Sequence, residues 1–104
     1  MEQDVFQAIA DPTRRKLLEL LADQELSIAA MTQHFSLSRT AINKHLAVLA
    51  EAGLVSSKKV GRETKYRLIA EPLAEMKDWV TFFEKYWSKH LLVLKQLVET
   101  DTTS

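Results

Sequence analysis

Turn chemistry is scarce in this chain, and that scarcity limits its fold more than any other feature. Its 104 residues include only two glycines and two prolines, placed at Pro12, Gly53, Gly61 and Pro72. A sandwich or barrel needs turn signals roughly every 8–12 residues. Helices must therefore carry most of the chain, and the length suits one domain. We expect a single domain over residues 1–99 and a frayed polar tail over residues 100–104.

Hydrophobic spacing divides that domain. Val5, Phe6, Ile9 and Ala10 recur at helical intervals and stop at Asp11-Pro12. Asp11 can cap the next helix and Pro12 suits its first position, after which Leu17, Leu18, Leu20 and Leu21 form a buried stripe. Ser27 opens a short third helix with Ile28, Met31 and Phe35 inward, ending near Ser36. Ser38 caps a fourth, in which Ile42, Leu46 and Leu49 face inward and Gly53 takes the terminal left-handed position. Two helices joined by about three residues, the second polar at its exposed start, describe a helix-turn-helix. The period then becomes alternating. Val55 and the set Thr64, Tyr66 and Leu68 read as a hairpin around Gly61-Arg62. Pro72 opens the longest helical pattern, with Leu73, Met76, Trp79, Val80, Phe83, Trp87, Leu91, Leu94 and Leu97 along it. The expected class is mainly α with a small β-hairpin, in the order α-α-α-α-β-β-α.

Net charge is zero, fourteen basic against fourteen acidic residues, yet the distribution is uneven. Between Ser38 and Arg67 stand Arg39, Lys44, Lys58, Lys59, Arg62, Lys65 and Arg67 against only Glu51 and Glu63. The ends carry the compensating acidic excess, which suits a middle that meets an anion and ends that meet each other. Cysteine is absent, which removes disulfides, thiol nucleophiles and thiolate metal sites. The amino terminus has no basic region followed by an apolar run, and no stretch reaches membrane-span length, so the expected compartment is the cytoplasm, with no membrane partner.

A helix fits the major groove of B-DNA, where each base pair shows a distinct set of donors and acceptors. Arg39 can grip guanine, Asn43 can grip adenine, and Thr40 can offer a hydroxyl or a methyl to a base edge. Ser38 and Lys44 suit phosphates. His45 fits either a phosphate contact or a partly buried position near the Tyr66 side of the sheet. Lys58, Lys59, Arg62 and Lys65 give the hairpin a basic edge that suits an adjacent backbone or minor groove. The lysines equally suit protection of an exposed strand edge. Arg14 and Arg15 stand in the first turn of the second helix, where positive charge is disfavoured, so each needs a specific partner: a carboxylate within the domain or a DNA phosphate.

Asp11 to Arg15 with Leu17 to Leu21, Leu37 to Leu46, Leu49 to Val55 and Gly61 to Leu68 together closely resemble the ArsR-type winged helix-turn-helix repressors of bacteria. The likeness covers most of residues 5–70, with the hairpin corresponding to the wing. It implies a homodimer built on the first and last helices, reading a near-palindromic operator in double-stranded DNA and repressing transcription. The residues this places at the subunit interface are Val5, Phe6, Ile9, Leu73, Met76, Trp79, Val80, Phe83 and Trp87. Where metal-sensing members carry a cysteine pair in the third helix, this chain has Ser27 and Ala29. A second family site on the last helix also lacks its ligand set, since Val80 follows Asp78 and Val93 follows His90. Neither a metal nor another cofactor is expected.

Other function classes fit less well. Dispersed histidines, absent cysteine and the lack of a glycine-rich phosphate loop argue against an enzyme. A protein-interaction module that kept the fold without binding DNA would not need Arg39, Asn43 and Lys44 together. The alternative left open is a ligand-responsive regulator, with Trp79, Phe82, Phe83, Tyr86 and Trp87 around an apolar or aromatic effector of unspecified identity.

Overall fold

The computed structural model describes residues 4–87 and 96–97. The chain forms two compact units, Met1–Ala74 and Glu75–Ser104. The first holds α1 (Val5–Ala8), α2 (Pro12–Leu21), β1 (Leu26–Ser27), α3 (Ile28–Thr32), α4 (Arg39–Glu51), β2 (Val55–Val60) and β3 (Glu63–Leu68), and α5 (Leu73–Phe82) begins at its end.

Caps set the helix starts. The Asp11 carboxylate accepts from the amides of Thr13 (2.8 Å) and Arg14 (3.1 Å), with Pro12 in the first turn, where its missing N–H costs nothing. Ser27 Oγ accepts from Ala30 N and Ser38 Oγ from Ala41 N. At the end of α4, Gly53 adopts φ +76°. The amide of Leu54 then donates to Leu49 O and that of Gly53 to Ala50 O, the paired bonds of a Schellman motif. This turn drops Leu54 into the core, fully buried with Leu17, Met31, Ile42 and Leu49. The inner faces of α2, α3 and α4 thus close over one cluster, which holds α4 with its opposite side outward.

Three expectations need correction. The sheet has three strands, ordered β1-β3-β2 and antiparallel throughout, rather than two. β1 pairs Leu26 with Tyr66 and Ser27 with Lys65, and two residues are too few to show an alternating pattern. α3 ends at Thr32, so residues 33–38 separate it from α4 and the connection is longer than the expected three. The amides of Gln33 and His34 close that end by donating to Ala30 O and Met31 O. Val5, expected between subunits, is 5% exposed within its own chain. Phe6 and Ile9 are half-buried.

Arg14 and Arg15 find partners within the domain at the end of α1, on backbone carbonyls instead of a carboxylate. Arg14 Nε donates to Ala8 O (2.5 Å) and Nη2 to Gln7 O (3.2 Å), and Arg15 Nη1 donates to Ile9 O (2.7 Å). The last carbonyls of a helix lack intrahelical donors and carry partial negative charge, so cations are favoured there. The arginines are misplaced for α2 but correctly placed for α1.

In the second unit Trp79 and Phe83 meet edge to face with ring centres 5.1 Å apart, and Phe82 and Phe83 at 4.9 Å. Trp79, Phe82, Tyr86 and Trp87 are exposed, with Phe82 at 64%. Met76, Val80 and Phe83 are half-buried, as is Leu73 at the end of the first unit. α5 stops at Phe82, and residues 84–87 are helical again after a turn at Phe83. Leu91 and Leu94 of the expected longer helix lie outside the described residues, as do His90, Val93 and the tail at residues 100–104.

Candidate nucleic-acid interface

Buried Ile42, Leu46 and Leu49 fix the rotation of α4, so its polar residues take defined directions. Ser38, Arg39, Thr40, Asn43 and Lys44 are all exposed. At about 100° per residue, Thr40, Lys44 and Ala47 form the centre of the outward face, and Asn43 and, further round, Arg39 lie toward one flank. Ser38 Oγ is occupied as an acceptor by its own helix, which leaves its hydroxyl proton free to donate.

His45 points elsewhere. It lies about 160° around the helix from Asn43, is half-buried, and its Nδ1 stands 3.4 Å from Arg14 Nη1. A guanidinium only donates, so any hydrogen bond between them has Nδ1 as the acceptor. The histidine therefore faces Arg14 on α2. Asp11 completes this corner. Partial burial pushes its carboxyl up, but the amides of Arg14 and Thr13 and the charges of His45 and Arg14 outweigh that and hold it below the usual aspartate value.

The hairpin's basic residues divide between two faces. Pairing Lys59 with Thr64, Ser57 with Tyr66 and Val55 with Leu68 places these on the side that carries the buried Val55. Lys58 with Lys65 and Ser56 with Arg67 occupy the other side. Opposed lysines repel, and Lys58 is relieved by Glu25, at 3.3 Å. β2 is an edge strand, so Lys58 and Lys59 also protect against stray pairing, whereas Lys65 sits on the central strand. The tip is a two-residue turn between Val60 and Glu63, with Gly61 at φ +66° and Arg62 not at positive φ, as a type II′ hairpin requires. A Cβ on Gly61 would meet nothing within 4 Å, so the glycine is needed for its dihedral angle alone.

One association escaped the sequence. Arg39 from the start of α4 and Arg62, Glu63 and Thr64 from the hairpin line a single cleft of about 260 Å³ with residues 27–29. Neither arginine has a hydrogen bond or ion pair among the described residues. Arg14 as a link between α1 and α4, and Glu25 as the partner of Lys58, were missed as well. Each is a tertiary contact with no local sequence signal.

Among the described residues no group of three or more His, Asp or Glu side chains could hold a metal ion, and Ser27 is occupied as a helix cap. No helix among them is long and apolar enough to cross a membrane.

A capped helix held outward by an apolar cluster, beside a basic hairpin, defines a winged helix-turn-helix. Comparison with known proteins agrees. The model of the bacterial regulatory protein arsR family matches residues 11–57. Transcriptional repressor SdpR of Bacillus subtilis is 35% identical, over 77% of this chain and 89% of that protein. HTH-type transcriptional regulator Rv2034 of Mycobacterium tuberculosis is 32% identical, over 92% and 87% respectively. Among solved structures, an ArsR-like transcriptional regulator from Rhodococcus sp. RHA1 superposes with a TM-score of 0.72 at 35% identity, covering 92% of this chain and 88% of that one. The chain belongs to the arsR family of bacterial regulatory proteins. It is a DNA-binding transcriptional regulator.

Proposed function

We propose that this regulator acts as a homodimeric repressor, each subunit laying α4 in the major groove of one half of a near-palindromic operator. The observation that carries the reading is the exposed side of α4, where Thr40 and Lys44 stand opposite the buried Ile42, Leu46 and Leu49 and Asn43 is exposed on the flank beside them. Asn43 pairs with an adenine edge, Thr40 adds a hydroxyl or methyl contact, and Ser38 and Lys44 donate to flanking phosphates. The hairpin tip at Gly61-Arg62, with Lys59 and Lys65 behind it, follows the neighbouring backbone or minor groove. His45 lies behind the reading helix, on the side that faces Arg14.

Two-fold symmetry supplies the rest of the mechanism. Reading helices related by such an axis must stand roughly 34 Å apart, one turn of DNA, or a multiple of it. The aromatic surface of α5 favours a second copy as its cover, because exposed rings on this scale exceed what a small monomer ordinarily presents. Occupation of a promoter by the dimer then blocks transcription. Selection of bound duplexes from a random pool with purified protein tests the reading. It should yield two inverted half-sites with centres about 10 base pairs, or a multiple, apart. A single unrepeated motif, or no enrichment at all, would overturn it.

A further inference from the structure

The cleft between the reading helix and the hairpin joins two arginines that are far apart in sequence. Arg39 and Arg62 line it together with Thr64 and one acid, Glu63. Both guanidiniums are permanently charged, and each presents a fork of donors matched to the oxygens of a phosphate. No carboxylate lies within ion-pair distance of either among the described residues, Glu63 included. Two cations facing one small space raise each other's energy until an anion enters.

We propose that this cleft holds one backbone phosphodiester of the DNA, clamped by Arg39 and Arg62 together, which makes Arg39 a phosphate contact instead of a guanine reader. The inference rests on the DNA-binding reading above. It adds that α4 and the hairpin share one phosphate, so the position of the wing is tied to the register of the helix in the groove. Thr64 can donate its hydroxyl to the same group. Glu63 opposes the anion in this cleft and leaves the site dependent on both arginines being in place.

The test uses full-length protein and the selected duplex, with one uncharged methylphosphonate placed at successive positions. Arg39→Ala and Arg62→Ala should each weaken binding to the unmodified duplex. Both losses should vanish at the same methylphosphonate position. The double variant should fall short of the product of the single losses by about threefold or more, as groups sharing one partner do. Its plot of log affinity against log salt should be shallower by about 0.9, the value for one phosphate, not about 1.8. Glu63→Gln should tighten binding to the unmodified duplex and leave the critical methylphosphonate duplex unchanged, a gain that misfolding cannot produce.

Losses that vanish at two different positions, an Arg39→Ala loss that survives at every position, or a neutral Glu63→Gln would each overturn the shared clamp. Saturable binding of inorganic phosphate to DNA-free protein at sub-millimolar concentration would overturn the assignment to DNA in favour of a free phosphate ligand. Failure of wild-type protein to bind the selected duplex would instead refute the DNA-binding reading itself.

Discussion

Replacing Arg14 by methionine keeps most of the apolar stem and removes the head group, isolating what that head group does. Three contacts are lost: to Ala8 O at 2.5 Å, to Gln7 O at 3.2 Å and to His45 Nδ1 at 3.4 Å. The last is long enough to count for little. Gln7 O is exposed, so water replaces its donor at small cost. Ala8 is fully buried, and a charged hydrogen bond to its carbonyl is worth about 1.5–3 kcal/mol. The expected loss is therefore about 2 kcal/mol. Urea denaturation at fixed protein concentration should show it as a lower midpoint with unchanged slope. Hydrogen exchange should quicken first at the amides of Ala8 and Ile9, which close α1. Arg15→Met, whose bond to Ile9 O is exposed, should cost well under half as much. A loss below about 0.5 kcal/mol for Arg14→Met, or equal losses for both variants, would refute the reasoning that a buried helix-end carbonyl fixes these arginines.

Two further outcomes follow from other parts of the molecule. The Asp11 carboxyl is held below its ordinary value in the folded state, so its charge stabilises the fold above the unfolded-state pKa near 3.9, and that stability fades as pH falls through the lowered value. Asp11→Asn keeps a good cap without the charge, so it should be less stable than wild type at neutral pH and approach it as pH falls through the lowered value; a difference independent of pH would contradict the assignment. Trp79→Glu should shift the protein from dimer to monomer in sedimentation at micromolar concentration and weaken operator binding in parallel, and an unchanged sedimentation coefficient would remove α5 from the subunit interface.

The parts of this fold that were legible beforehand are those governed by neighbours in sequence. Asp11, Ser27 and Ser38 each cap the helix that follows them, because a short polar side chain before an apolar period satisfies amides two or three residues ahead. Gly53 and Gly61 occupy the two left-handed positions for similarly local reasons. The outward face of α4 was legible because Ile42, Leu46 and Leu49 leave only one side free.

What the sequence hid depends on distant partners. β1 is two residues that become a strand only because β3 lies alongside. Arg14 and Arg15 look wrong for α2 until the end of α1 is placed over them. His45 shares α4 with the reading residues, and only its angle, together with Arg14, separates it from them. Lys58 and Lys59 are adjacent and identical in type, yet the pleat sends them to opposite faces and gives Glu25 to one of them. The cleft joining Arg39 to Arg62 required both the hairpin and the helix-turn-helix to be in place.

Sequence recognition by this regulator requires the exposed side of α4 to read base edges, and Asn43→Ala removes the side chain proposed to do so. Affinities of variant and wild type should be measured on the selected duplex and on a scrambled duplex at one salt concentration. The account predicts a loss of about 1–3 kcal/mol on the selected duplex and almost none on the scrambled one, with the adenine requirement relaxed at one position of each half-site. Equal losses on both duplexes, or no loss on either, would contradict it.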